Sequence, residues 1–227
     1  MSTLSFKDHS ASEYGLIVTD IGRRQKAEEQ IDTYAVPYRN GKLHIHSGTY
    51  NSYSRSVTFG VKDKTRRAEI YAWLTGSGVL QTSDDSGGYF NASVVSAIDV
   101  SRVSSRFDEL KVTFEVDPFF YLDSGNTTVE YTTSPQTFTN PGTVESAPYI
   151  KITGSGAVTL TVGETIVSLT IDDYLEIDSQ LQVCYRDTVN KGDLMVGEFP
   201  TIPVGESGLS WDGTVTKVEI KPRWCES

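Results

Sequence analysis

Hydrophobic and polar residues alternate along most of this chain. Tyr53, Arg55, Val57, Phe59 and Val61 fall on one face of a run whose other face carries Ser54, Ser56, Thr58 and Lys62, the two-residue period of a strand with one side in a core. Leu110, Val112, Phe114 and Val116 repeat it against Lys111, Thr113 and Glu115; Phe90, Ala92, Val94, Ile98 and Val100 repeat it with an interruption at Ser96; Leu43-His44-Ile45-His46 gives a shorter version. Further on, the period returns at Ile150 and Ile152, Val158 to Val162, Val167 to Ile171, Leu175 and Ile177, Leu181 with Val183 and Tyr185, Leu209 and Trp211, and Val218 and Ile220. Breaks at Gly154, Gly156, Gly163 and Asp172-Asp173 divide this part into short strands, the spacing of an antiparallel sandwich.

One segment departs from alternation. From about residue 64 to residue 75, Ala68, Tyr71, Ala72 and Leu74 or Thr75 recur at three- and four-residue spacing, with Asp63 or Thr65 as the cap and Gly76 and Gly78 as the stop. This predicts the only substantial helix, with Trp73 on the flank of its apolar stripe, where the ring packs and the N–H finds a partner. Val36 to Leu43 and Glu198 to Ser207 read as turns between strands. Residues 123–140, rich in Ser, Thr, Asn and Gly, read as linker or long loop, with Thr128 to Tyr131 as a candidate strand. The expected fold class is mainly β: two β-sandwich-type domains, residues 1–134 with the one helix and residues 135–227 as a second sandwich.

Composition agrees. A chain of 227 residues with 37% hydrophobic and 11% aromatic content has enough apolar material for a core, so disorder is excluded. No apolar run approaches the roughly 20 residues that cross a bilayer, and the N-terminus lacks a hydrophobic signal core; the expected place of synthesis and assembly is a cytoplasm. The net charge of −10 argues against nucleic-acid binding, which needs a row of cations. Arg23-Arg24-Gln25-Lys26 and the cluster from Lys62 to Arg67 read as solvated surface or subunit contacts. Cys184 and Cys225 are too few for a disulfide framework and read as reduced, partly buried thiols.

The residues that could carry chemistry are few. His44 and His46 share a strand face, but His9 is the only other histidine, so a surface or interface pair is favoured over a metal site. Asp84-Asp85 and Asp172-Asp173 could be carboxylate pairs, yet neighbours on a strand point to opposite faces and Asp is ordinary in turns. No nucleophile elbow, phosphate-cradling loop or Cys/His arrangement is present, so no enzyme, metal or cofactor is expected. Trp211, Tyr174, Tyr149, Tyr185 and Trp224 could form a stacking platform for sugars. Trp211 shares parity with Leu209, which favours core packing for it, and carbohydrate binding stays open as a second reading.

In their order these features resemble the distal tail protein (Dit) of long-tailed, non-contractile phages. The matching order is a Pro-x-Arg-x-Gly turn at Pro37 to Gly41, aromatic strands to Val61, a helix with Ala72-Trp73-Leu74, a stretch with Ser83-Asp84-Asp85, and a strand ending in Asp117-Pro118-Phe119-Phe120. Leu175 to Ser179 and the Phe199-Pro200 to Gly205 turn follow. Tyr38 stands where the family's turn is expected to carry Gly. The resemblance covers most of the chain and implies a structural role. The N-terminal domain would close into a hexameric ring that continues the tail tube and joins it to the baseplate or tail tip, with a galectin-like C-terminal sandwich projecting outward. Implied partners are five further copies, the tail tube protein, a tail-tip or tail-associated fibre protein and a receptor-binding protein, all in the virion tail. A head-to-tail interface that closes requires a sheet edge and a protruding hairpin. The candidate contacts are Tyr34, Pro37, Tyr38, Arg39, Lys42, His44 and His46, since aromatics with Arg beside a turn are typical interface anchors; a plain surface hairpin is the equal alternative. The alternative function is a carbohydrate-binding sandwich for host cell-wall sugars with Trp211 as stacking residue, and a hydrolase using scattered carboxylates stands third.

Overall fold

The computed structural model describes residues 2–96, 98–102 and 108–227. It divides into two compact units, Met1–Phe120 with Ser227, and Tyr121–Glu226.

The first unit contains β1 (Leu4–Phe6), β2 (His9–Ser10), β3 (Leu16–Asp20), β4 (Glu28–Ala35), β5 (Lys42–Asn51), β6 (Tyr53–Val61), β7 (Gly76–Thr82), β8 (Gly88–Val94), β9 (Asp99–Arg102) and β10, Asp108–Leu122, which runs on into the second unit. The main sheet has the order β2-β1-β7-β8-β10-β6-β3, with β9 beside β10, while β4 and β5 form a two-stranded sheet of their own. The β6–β10 ladder places Phe59 opposite Leu110, Val57 opposite Val112 and Arg55 opposite Phe114. All six side chains are buried, as alternation predicts. The inward face thus includes an arginine at a core position.

The helix forms where spacing predicts it, but with a different face inward. A 3-10 turn at Lys64–Arg66, capped by the Asp63 side chain, leads into α1, Arg67–Trp73. Ile70, Trp73 and Leu74 are buried, whereas Ala68, Tyr71 and Ala72, expected on the apolar stripe, are exposed. The larger apolar surfaces at i, i+3 and i+4 win over two alanines. Trp73 lies within the buried stripe, not on its flank. Its Nε1–H donates to the Phe6 carbonyl at 2.8 Å, and its ring stacks on Tyr14 at 4.7 Å. Seven residues are too few for a self-supporting helix, so these contacts hold it.

The second unit contains β11 (Val129–Tyr131), β12 (Gln136–Asn140), β13 (Tyr149–Val162), β14 (Thr165–Asp178), β15 (Val183–Arg186), β16 (Val189–Asn190), β17 (Met195–Val196) and β18 (Gly205–Lys221), in the order β11-β18-β13-β14-β15-β16, with β12 on β18 and β17 on β14. Residues 123–140, read from composition as linker, carry a 3-10 turn and two strands that pair with opposite ends of β18. The breaks expected at Gly154, Gly156 and Asp172-Asp173 do not end strands. β13 and β14 stay paired from Tyr149–Asp178 to Val162–Thr165, and these residues are bends within them. Asp173 sits at φ +82° opposite Gly154, and the β13–β18 register slips between Thr153 and Gly154 and again between Ser155 and Thr159. Gly213, at φ +96°, lies at the second slip, where a Cβ would come within 2.5 Å of the Ala157 carbonyl oxygen. The bends curl the sheet over, so that Ile150, Ile152, Leu175 and Val218 from one half share a core with Val158, Leu160, Val167 and Leu209 from the other. One parity differs from expectation: Cys184 is the buried residue of β15, while Leu181, in the preceding turn, is exposed.

Candidate assembly surface

Among the described residues, the β4–β5 hairpin is the one long element without a core of its own. Its register pairs Tyr34 with Leu43, Asp32 with Ile45, Thr33 with His44 and Ile31 with His46. One face therefore carries Asp32, Tyr34, Leu43 and Ile45; the other carries Ile31, Thr33, Ala35, Lys42, His44 and His46. Neither face is covered. Tyr34 is 53% exposed and Ile45 48%, and Ile31, Val36 and Leu43 are exposed as well. An isolated two-stranded hairpin is marginally stable in water, and uncovered apolar side chains on both of its faces make it the candidate for an interaction element. Because the ribbon is two-stranded, both outer edges keep backbone N–H and C=O groups free for strand addition.

At the tip, Arg39 N–H donates to the Val36 carbonyl at 3.2 Å. Tyr38 is fully exposed and adopts φ +63°, a left-handed conformation that costs an L-residue about 1–2 kcal/mol. This is the position where a glycine is expected in the resembling family. Pro37, Arg39, Lys42, His44 and His46 are likewise exposed, and the Nδ1 of His46 lies 3.0 Å from a Glu29 carboxylate oxygen. The structure thus gathers all seven proposed contact residues on one ribbon while dividing them between a tip and two faces. Ile31, Leu43 and Ile45 are additions: a strand with one buried face was expected at Leu43 to His46, and the exposure of both faces is decided by the absence of anything above them.

The segment that leads into the hairpin borders a buried charge network. The Arg55 side chain is 1% exposed; its Nε–H donates to the Ile21 carbonyl at 3.1 Å and its NH1 to Asp85 Oδ2 at 2.8 Å. Thr82 donates to the same oxygen at 2.9 Å, and Arg24 approaches the other, Oδ1, at 3.5 Å. Burial alone would raise the Asp85 carboxyl, but hydrogen bonds from Arg55 and Thr82 and the two guanidinium charges outweigh it and hold it below its ordinary value. Asp84-Asp85 is therefore not a catalytic pair: Asp84 is exposed and Asp85 is fully engaged. Parity had put Arg55 inward, and an inward arginine is itself the signal that a buried carboxylate must be found. Arg24, read as solvated surface or a subunit contact, is exposed while its guanidinium packs over Phe120 at 4.7 Å and Phe90 at 5.4 Å.

In the second unit the five aromatics separate. Trp211 packs against the core opposite Leu160, and Trp224 is buried. Tyr149, Tyr174 and Tyr185 share the outer face with Lys151 and Glu176, given the β13–β14 and β14–β15 registers. The Tyr149 hydroxyl donates to Glu176 at 2.7 Å and that of Tyr174 to Asp187 at 2.6 Å. The hydrogen bond to Asp187, with partial burial, pushes the Tyr174 hydroxyl up to about 12, so it remains a donor at neutral pH. Asp172, 97% exposed at its side chain, pairs with Arg186 across the bend. Burial raises the thiols of Cys184 and Cys225 to about 11, and both are unbridged. Among the described residues no three His, Cys, Asp or Glu side chains converge on a metal position, and no helix is long and apolar enough to cross a membrane.

No protein-family model matches the chain, and no curated protein matches its sequence. Among solved structures, the crystal structure of the Dit protein of phage SPP1, described as a paradigm of the hub adsorption apparatus in phages that infect Gram-positive bacteria, superposes with a TM-score of 0.76. The match covers 97% of this chain and 98% of the phage protein at 12% sequence identity.

Proposed function

We propose that this chain, which carries the Dit fold, is a structural protein of a phage tail: a distal tail protein whose copies close into a hexameric hub between the tail tube and the baseplate or tail tip. The observation that carries the reading is the near-complete match of fold together with a hairpin whose two faces and two edges are unoccupied. A fold can host many functions, so the site must bear its share, and what supports the reading there is that the hairpin offers Tyr34, Tyr38, Arg39 and a pair of histidines on a ribbon that a neighbouring copy can pair with edge to edge. A head-to-tail contact of this kind generates a ring when its rotation closes. In this reading the protein works without catalysis, meets tail tube protein on one side and tail-tip, fibre or receptor-binding protein on the other, and resides in the virion tail after assembly in the host cytoplasm.

Mass photometry and negative-stain imaging of the full chain test this, alone and with tail-tube and tail-tip proteins of the same phage. Six-membered rings are the expected result, and replacement of Ile31 and Ile45 by serine should abolish them. A chain that stays monomeric in every mixture would refute the hub.

A second reading, carbohydrate binding by the second unit, is favoured by one observation: Tyr149, Tyr174 and Tyr185 lie on one outer face beside Lys151 and Glu176, in place of Trp211. Ring faces with both donors and acceptors suit neutral sugars. A glycan array with Tyr174→Ala and Tyr185→Ala as controls tests it, with Trp211→Ala expected to act only through folding.

A further inference from the structure

The β4–β5 hairpin forms no ladder with the main sheet, so the direction in which it leaves the unit depends on its two roots. On the outgoing side Ser52 donates to Glu115 at 2.6 Å and Tyr50 meets Phe119 edge-on at 5.3 Å. The incoming root, residues 21–27, is held from inside. Ile21 and Ala27 are buried. Gly22, at φ +73°, lies so close to β6 that a Cβ would come within 2.3 Å of the Ser56 carbonyl oxygen. The Ile21 carbonyl accepts from Arg55, and Arg24 reaches Asp85 while its guanidinium covers Phe120 and Phe90.

Asp85 divides its two oxygens. Oδ2 serves Arg55 and Thr82, which belong to the main sheet, and Oδ1 serves Arg24, which belongs to the hairpin root. We infer that Asp85 and Arg24 are positioning residues for assembly, tying the root of the hairpin to the sheet so that the ribbon projects in one direction. This rests on the hairpin being the contact element. The need is geometric: a ten-residue strand such as β5 is roughly 33 Å long, so a swing of about 10° at its base moves the tip by about 6 Å. Binding elements must be held far more closely than that, and a ribbon fixed beforehand loses less conformational freedom on docking. Arg24 suits the task because its planar head can lie flat on aromatic rings while its edge N–H groups reach a carboxylate, a fork geometry that the point charge of a lysine does not reproduce.

Spin labels on Asn40→Cys at the tip and Glu109→Cys on the outer face of β10 report the direction of the hairpin, with labelled chain diluted into unlabelled chain. The native cysteines are buried and resist labelling. A narrow distance distribution is expected for the otherwise native chain, with at least a twofold broadening in Arg24→Gln and in Asp85→Asn, an intermediate width in Arg24→Lys, and a parallel fall in ring yield. Arg24→Gln is the safer variant, since its side chain is partly exposed and its loss leaves Arg55 paired. A purely structural pair would lower the thermal midpoint and leave the distribution narrow in every variant, and that result would overturn the inference. The two claims separate cleanly: broadening in a chain that never forms rings sinks the hub and keeps the positioning role, whereas rings of full yield with an unchanged distribution do the reverse.

Discussion

The two units use the same kinds of residue toward different ends. In the second, β13, β14 and β18 bend back on themselves, and nearly every large apolar side chain along them enters a single core. The first builds an equally dry core around Phe59, Phe114 and Trp73 and then leaves an entire hairpin, with Ile31, Tyr34, Leu43 and Ile45, in solvent. Each unit also has a guanidinium–carboxylate pair. In the second, Arg223 grips Asp178 with two bonds of 2.7 and 2.8 Å, joining the segment after β18 to the end of β14. The pair Arg55–Asp85 has an additional arginine from a hairpin root. The second unit leaves single apolar residues such as Ile166 and Val196 uncovered, whereas the first leaves a whole ribbon uncovered; in the proposed hub the cores would carry stability and that ribbon the contact between copies.

That separation can be broken most forcefully in the cores. Phe114→Ala and Leu160→Ala should each destabilise their own unit by about 3–5 and 2–5 kcal/mol respectively, measured by chemical denaturation with a probe in each unit. Ile45→Ser, by contrast, should change monomer stability by no more than about 0.5 kcal/mol while reducing assembly. A large loss of monomer stability from Ile45→Ser would erase the distinction.

Next comes Asp178→Asn, expected to lower stability by about 1.5–3 kcal/mol through loss of charge-assisted hydrogen bonds. The bonds from Arg223, opposed by burial and aided by the backbone N–H groups of Leu181 and Gln180, hold this carboxyl below its ordinary value. Since its folded value lies below the unfolded value of about 3.9, the stabilisation is complete above that pH and is lost as pH falls through the folded value. Asp85 behaves in the same sense. Acid titration of unfolding should therefore show a decline below about pH 4 in the native chain, flattened in Asp178→Asn for the second unit alone.

Gly213→Ala should cost the second unit about 1–3 kcal/mol, because a side chain there meets both a left-handed backbone and the Ala157 carbonyl. Thermal unfolding checks it, and a neutral result would mean that the bend does not depend on this residue. The smallest effect is expected for Tyr38→Gly, which relieves backbone strain at the tip: monomer stability unchanged or higher by up to about 1 kcal/mol, with weaker ring contacts if the exposed ring is an anchor. Equal assembly of Tyr38→Gly and the native chain would remove Tyr38 from the contact set.

Much of this was legible in alternation. Tyr53 to Val61 and Leu110 to Val116 could be assigned inward positions from their period alone, Arg55 included, because a strand has only two faces. Where geometry admits more choices, pattern was less informative. The helix offered two possible stripes, and the buried one contains Ile70, Trp73 and Leu74 because the sheet beneath accepts the larger side chains. Glycine and aspartate at 154, 156, 172 and 173 read as chain breaks, whereas they are bends, since a residue that tolerates positive φ serves either purpose. Cys184 displaced Leu181 from the expected inward position because the turn before β15 shifted the parity.

The strands at Tyr53 to Val61 and Leu110 to Val116, the location of the helix, the inward arginine and the turn at Pro37 to Gly41 were determined by the sequence itself, through periods and turn chemistry that act over a few residues. Only the tertiary structure decided which apolar residues remain uncovered, that Asp85 would meet Arg55 and Arg24, and that one sheet would curl into two layers. Those outcomes depend on contacts between segments 30 to 60 or more residues apart, whose geometry no local pattern encodes.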